Sequence, residues 1–263
     1  MGVVITRPDK RRGRNEPPRA SPVKAAALDL GLPVATRAED ALSVGAELGV
    51  VVAYGRIIKN EVLERLPLVN AHFSLLPRWR GAAPVERAIL AGDTVTGVCL
   101  MAIDEGLDTG PVYRCQQVDI GPEETAAELR SQLSTLGASM LIAALATGLG
   151  DPVPQQGEPT YAQKIEPADL FLDWPRPAFE LHRVVRLGRA WTTWRRRRLL
   201  VLAARVTDLP AGDLAPGQLQ GDVVVTGQGG LRLVTVQPEG RSAMAAADWV
   251  RGARPRLNEG LGG

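Results

Sequence analysis

The sequence predicts an α/β fold, a mostly parallel Rossmann-like sheet followed by a small β-rich, barrel-like C-terminal domain. Three observations carry that reading. Apolar runs alternate with helical patterns as far as Met140, the order that builds a parallel sheet from βαβ units. Val50-Val51-Val52-Ala53 is apolar without alternation, as in a strand covered on both faces. Beyond a stretch rich in Gly, Pro and Gln between Gly148 and Pro159, short β-like runs follow one another between Gly and Pro turns. The expected organisation is one domain over residues 1–150, a linker over 151–160 and a second domain over 161–263. A chain of 263 residues with 45% apolar content can bury a core in each.

In chain order, Val3-Val4-Ile5 reads as a short buried strand that runs into a polar, arginine-rich loop over Arg7 to Arg19. Ser21 caps a helix with Pro22 at its first position, which Gly31 ends, and Leu32-Pro33-Val34 begins an extended piece. Gly49 to Tyr54 is expected as a central strand, Asn60 to Arg65 as a helix, and Leu68 to Phe73 as a strand leaving through the turn Ser74-Leu75-Leu76-Pro77. A helix over Pro84 to Ala91 closes at Gly92, and Thr96 to Ile103 is a third strand, emptying into the loop Asp104-Glu105-Gly106-Leu107-Asp108-Thr109-Gly110. Thr125 and Glu128 form a capping box, and Leu129, Leu133, Leu136 and Met140 stripe the helix behind it. A helix over Pro177 to Leu187 then precedes β-like runs at Leu199 to Val206, Asp222 to Thr226 and Leu231 to Val236.

The net charge of +2 conceals a split. Residues 1–26 hold seven Lys/Arg against two Asp/Glu, residues 160–263 hold fifteen against ten, and residues 27–159 hold nine against seventeen. Basic charge at both ends suits an anionic macromolecular partner. The two cysteines, Cys99 and Cys115, form no Cys-x-x-Cys pair and no His/Cys cluster, which fits a reducing setting better than a zinc site or a disulfide framework. No apolar run approaches the roughly 18 residues of a membrane span.

Only two histidines occur, so imidazole chemistry rests on His72 or His182. His182 lies in an ordinary helical pattern. His72 follows Asn70 by two residues, so a strand presents both side chains on one face, where the chain leaves the sheet. Both can donate hydrogen bonds to an oxygen that gains negative charge, the requirement of acyl transfer, and Asp108 stands in the next polar loop as the acid to orient the imidazole. On spacing alone a structural histidine is the better account.

The residues around this trio change that. Asn70-Ala71-His72-Phe73-Ser74-Leu75-Leu76-Pro77-Arg78-Trp79-Arg80-Gly81-Ala82-Ala83-Pro84 and Asp104 to Gly110 resemble the two signatures of the methionyl-tRNA formyltransferases, a branch of the formyl transferase family. Thr6-Arg7-Pro8-Asp9, Ser21 to Lys24, Val51 to Gly55, Ala162 to Ile165, Gln237 to Gly240 and Ala246 to Trp249 match as well. The resemblance implies transfer of a formyl group from 10-formyltetrahydrofolate, as co-substrate and without a metal, to the α-amino group of methionyl initiator tRNA. It implies Asn70, His72 and Asp108 as catalytic residues, and a folate site lined by Ser74, Leu75, Leu76, Pro77, Val52, Ala53 and Tyr54. The basic loop, with Arg7, Lys10, Arg11, Arg12, Arg14 and Arg19, matches one that contacts the tRNA acceptor end. A cytoplasmic monomer that touches no membrane is expected.

The sequence also departs from that family. Members open with a strand, a Gly-Thr-Pro-type turn and a helix ahead of the piece matching Val3-Val4-Ile5, so a sheet truncated at its N-terminus by one βα unit is expected here. The segment Arg186 to Trp194 lacks a Pro-x-Pro-Gly. Two alternatives share the same residues: a non-catalytic tRNA-binding relic, and a formyltransferase acting on a small amine such as an amino sugar.

Overall fold

The computed structural model describes residues 2–11, 17–208, 214–256 and 259–263. The elements run β1 (Val4–Ile5), α1 (Pro22–Asp29), β2 (Val34–Ala35), β3 (Gly49–Val51), α2 (Asn60–Leu63), β4 (Leu68–His72), β5 (Arg80–Gly81), α3 (Pro84–Ala91), β6 (Val95–Ala102), β7 (Val112–Asp119) and α4 (Ala126–Thr147). They continue with β8 (Tyr161–Ala162), α5 (Ala178–Val185), β9 (Ala190–Trp194), β10 (Arg197–Thr207), β11 (Leu219–Gln220), β12 (Val223–Val225), β13 (Gly230–Pro238), β14 (Met244–Ala245) and α6 (Ala246–Ala253). Contacts gather into two compact units, the first comprising Met1–Arg80, Val98–Gln116 and Gly137–Pro159, the second Gly81–Gly97, Gln117–Leu136 and Thr160–Gly263.

The first unit is built on a mixed sheet of order β3-β4-β6-β7. β3 runs parallel to β4, with Val51 beside Asn70, whereas β6 runs antiparallel, with His72 beside Cys99 and Val69 beside Ala102. β1 and β2 form a separate parallel pair. Alternation sends Ala71 and Phe73 to the face that carries Gly137 of α4, where a Cβ on that glycine would meet Phe73, Val98 and Ala71 at 3.5–3.6 Å. β3, expected in the centre of the sheet, is its edge strand, and Val50 is half exposed. An apolar run marks a strand covered on both faces only when neighbours pair with both of its edges.

Local signals place the helices. Ser21 Oγ accepts from Lys24 N at 3.1 Å ahead of Pro22. Gly92 ends α3 in the left-handed region at φ 79°. Thr125 and Glu128 close their capping box, Thr125 N donating to the Glu128 carboxylate at 2.9 Å and Glu128 N to Thr125 Oγ1 at 3.3 Å. The buried line of α4 is Ala126, Leu129, Leu133, Gly137, Leu141 and Ala144, with Leu136 and Met140 only half buried.

The second unit packs α5 and α6 against an antiparallel sheet of order β11-β12-β13-β10-β9, with β14 pairing on β13. Its core joins Leu172, Trp174, Leu181, Leu199, Leu231, Leu233 and Trp249. Among the described residues this sheet is open, not a closed barrel, because β9 and β11 are its two ends and do not pair with each other. Two elements carry no signal readable in the sequence. β7 is an exposed edge strand whose Arg114, Gln116 and Gln117 hide any alternation, and α6 starts from Ala245 without a side-chain cap.

Candidate functional site

β4 delivers the site. Asn70 and His72 alternate onto the face opposite α4, Asn70 half buried and His72 only 5% exposed. The His72 ring is held at both nitrogens. Nε2 lies 2.8 Å from the carbonyl of Trp79, and since a carbonyl can only accept, Nε2 carries a proton. Nδ1 faces Asp108 Oδ2 at 3.6 Å, beyond direct hydrogen-bond length.

Asp108 arrives by an unexpected route. The third strand was expected to empty its loop at the same sheet end as β4, but β6 is antiparallel, so the loop leaves beside Val69 and folds back to His72. Its shape is fixed from within. Asp104 Oδ1 accepts from Gly106 N at 3.1 Å and Thr109 Oγ1 at 2.6 Å. A Cβ on Gly110 would meet the Ala102 carbonyl at 1.9 Å, so only glycine allows this approach. Cys99 and Cys115, on β6 and β7, are bonded to each other, and the bridge spans the segment that carries Asp108. Their spacing gave no such signal, because the pairing depends on β6 and β7 lying side by side.

The segments predicted to line a folate site flank this trio along β3 and β4. Ser74 is fully buried and donates to the Arg78 carbonyl at 2.5 Å, Leu75, Leu76 and Pro77 are half buried, and the Leu76–Pro77 peptide is cis. Val52, Ala53 and Tyr54 leave β3 at the end where β4 leaves the sheet, since the two strands are parallel. Ala53 (φ 47°), Trp79 (φ 60°) and Asp108 (φ 53°) all take the left-handed backbone that non-glycine residues rarely adopt, a clustering typical of functional sites.

Of the predicted tRNA contacts, Arg7, Lys10, Arg11 and Arg19 are exposed, while Arg12 and Arg14 lie outside the described residues. The loop is pinched at its base, where Lys10 and Arg19 exchange backbone hydrogen bonds of 3.3 and 3.1 Å. Arg7 reaches the carbonyls of Tyr54 and Gly55, each at 3.4 Å, which joins the basic loop to the segment after β3. In the second unit Arg195 and Arg196 form the β9–β10 turn, with φ 48° and 63°. Arg195 is engaged, stacked over Trp194 and paired with Glu259, whose carboxyl the guanidinium holds at about 2. Arg189, Arg198, Gln237 and Glu239 help line a hollow of about 250 Å³ in that unit.

The family model described as formyl transferase matches residues 1–145, and that of its C-terminal domain matches residues 164–254. The chain belongs to the formyl transferase family. Its relatives include the methionyl-tRNA formyltransferase of Symbiobacterium thermophilum, 43% identical over 95% of this chain and 84% of that protein. That of Roseiflexus castenholzii is 41% identical over 99% of this chain and 90% of that protein. Solved structures share the fold at lower identity. Methionyl-tRNA formyltransferase from Clostridium thermocellum aligns with a TM-score of 0.57 at 22% identity, over 67% of this chain and 82% of that one. HypX from Aquifex aeolicus, in complex with tetrahydrofolic acid, aligns at 0.63 and 16% over 86% of this chain, which spans only 43% of HypX.

Proposed function

We propose that this formyltransferase moves the formyl group of 10-formyltetrahydrofolate onto the α-amino nitrogen of methionyl initiator tRNA, supporting translation initiation in the cytoplasm as a monomer. The observation that carries the reading is the 41–43% identity, over nearly the whole chain, to relatives named for that activity. The division of labour follows the sequence reading, with catalysis in residues 1–150, a linker over 151–160, and tRNA contacts from residues 161–263 added to those of the basic loop.

The uncharged amine attacks the formyl carbon, the carbonyl oxygen becomes an oxyanion, and collapse releases tetrahydrofolate. Asn70 donates from its carboxamide to that oxygen. With Nε2 on the Trp79 carbonyl, His72 Nδ1 is the ring nitrogen left to serve the same oxygen, and the neighbouring Asp108 carboxylate supports the ring and takes part in moving the amine proton. The segments 74–77 and 52–54 line the folate, and Arg7, Lys10, Arg11, Arg12, Arg14 and Arg19 meet tRNA phosphates.

The test is a formylation assay on purified residues 1–263 with 10-formyltetrahydrofolate and methionyl-tRNA. Turnover is expected. Retained tRNA binding without turnover would replace this reading by a tRNA-binding relic, and turnover only on a nucleotide-linked amino sugar would reassign the acceptor.

A further inference from the structure

The stretch expected to be a linker sends a side chain to the catalytic loop. Val153 pairs with Val112 at the start of β7, each N–H reaching the other's carbonyl at 2.8 Å, and this docks the segment two residues before Gln155. The half-buried Gln155 carboxamide is then fully committed. Nε2 donates to the Asp108 carbonyl at 2.9 Å and the Gly110 carbonyl at 2.8 Å, while Oε1 accepts from Arg80 Nε at 3.0 Å and Nη2 at 2.7 Å.

We infer that Gln155, held by Arg80, is the positioning residue that sets the Asp108 carboxylate against His72. The inference rests on the catalytic part proposed above for Asp108. Asp108 sits in the left-handed region at φ 53°, which costs backbone energy in any residue with a Cβ, and contacts to the neighbouring carbonyls help to hold it there. Gln155 supplies those contacts by tying down the carbonyls on either side of Thr109, which fixes the direction in which Asp108 leaves the backbone. Only a carboxamide offers two N–H donors and an acceptor on one planar group, and of the two residues that carry one, glutamine has the longer reach. Arg80, from the signature segment after β4, fixes the rotation of that plane by a forked contact, so the strand that carries His72 and the loop that carries Asp108 are referenced to each other through one carboxamide. The carboxamide touches neither formyl donor nor amine. Its effect passes entirely through where Asp108 stands.

Gln155→Glu keeps the shape and the acceptor for Arg80 but replaces the two donors by an oxygen facing two carbonyls. In the formylation assay it should lower kcat by about tenfold to a hundredfold, the penalty of misplacing a catalytic group by about an ångström, with KM for both substrates within about twofold. Because the loss acts through Asp108, Gln155→Glu added to Asp108→Asn should lower the residual rate by less than about twofold, and the kcat–pH profile of Gln155→Glu should move towards that of Asp108→Asn. Unchanged kcat in Gln155→Glu, or a full extra loss on the Asp108→Asn background, overturns the positioning role. Wild-type kcat in Asp108→Asn instead removes the catalytic reading of Asp108 itself, and Gln155 then has nothing to position. Gln155→Ala with thermal melts separates either result from unfolding, since a positioning loss leaves the melt within a few degrees of wild type.

Discussion

His72 shows how a residue's surroundings select one of its chemical forms. The Trp79 carbonyl fixes the proton of Nε2, which leaves Nδ1 as the ring nitrogen facing Asp108. His72→Ala and Asn70→Ala should each lower kcat by about a hundredfold or more, equivalent to roughly 3 kcal/mol of transition-state stabilisation, with smaller changes in KM. Steady-state formylation kinetics check this, and a loss confined to KM would reassign both residues to binding. At this scale strand spacing was enough to put Asn70 and His72 on one face of β4, while the choice of the trio over a structural histidine came from the resemblance of the segments around it. Trp79 was not legible, because its contribution is a backbone carbonyl aimed by a left-handed turn, and Gln155 was not, because it stands 47 residues from its partner Asp108.

At the scale of elements, α4 and β7 mark what patterning can and cannot report. The capping box and the leucine stripe of α4 were readable because helix ends and helix faces depend on neighbours three and four residues away. The reach of the stripe was less so, and the helix buries Gly137 and Leu141 more deeply than Leu136 and Met140. Gly137 has ordinary van der Waals space for a methyl group against Phe73, Val98 and Ala71. Gly137→Ala should therefore stabilise the fold by about 0.5–1 kcal/mol through helix propensity and a smaller unfolded ensemble, read as a higher urea midpoint. A lower midpoint would mean that the sheet cannot approach α4 with a side chain between them. β7 and the direction of β6 escaped the reading because edge strands carry no core signature, and because a strand's sense is set by how the chain returns to the sheet.

Over the whole chain, charge is the property that reaches furthest. If the exposed Lys10 and Arg11 contact tRNA phosphates, log affinity falls linearly with log salt, and Lys10→Ala and Arg11→Ala should each flatten that slope by about 0.7 to 0.9 while leaving binding weaker at every salt concentration. Filter binding over a salt series measures it. A second whole-chain property is the response to acid. Burial pushes the His182 imidazolium below its ordinary 6.5, Glu123 at 3.3 Å pulling it back up and Arg186 pushing it further down. The folded chain thus takes up this proton later than the unfolded one as pH falls, so the contribution is complete above about 6.5 and is lost below it. Urea midpoints between pH 7.5 and 5 should decline for the wild type and decline less steeply for His182→Gln.

The bridge between Cys99 and Cys115 also makes the chain a lasso in its covalent topology. Glu105, Gly106 and Leu107 lie exposed inside the closed stretch, open to a protease. One cut there would sever the backbone without separating the pieces, so nicked protein should run as a single band on a non-reducing gel and as two bands once a thiol is added. Separation without thiol would show that the two sulfurs are not joined in the protein as purified.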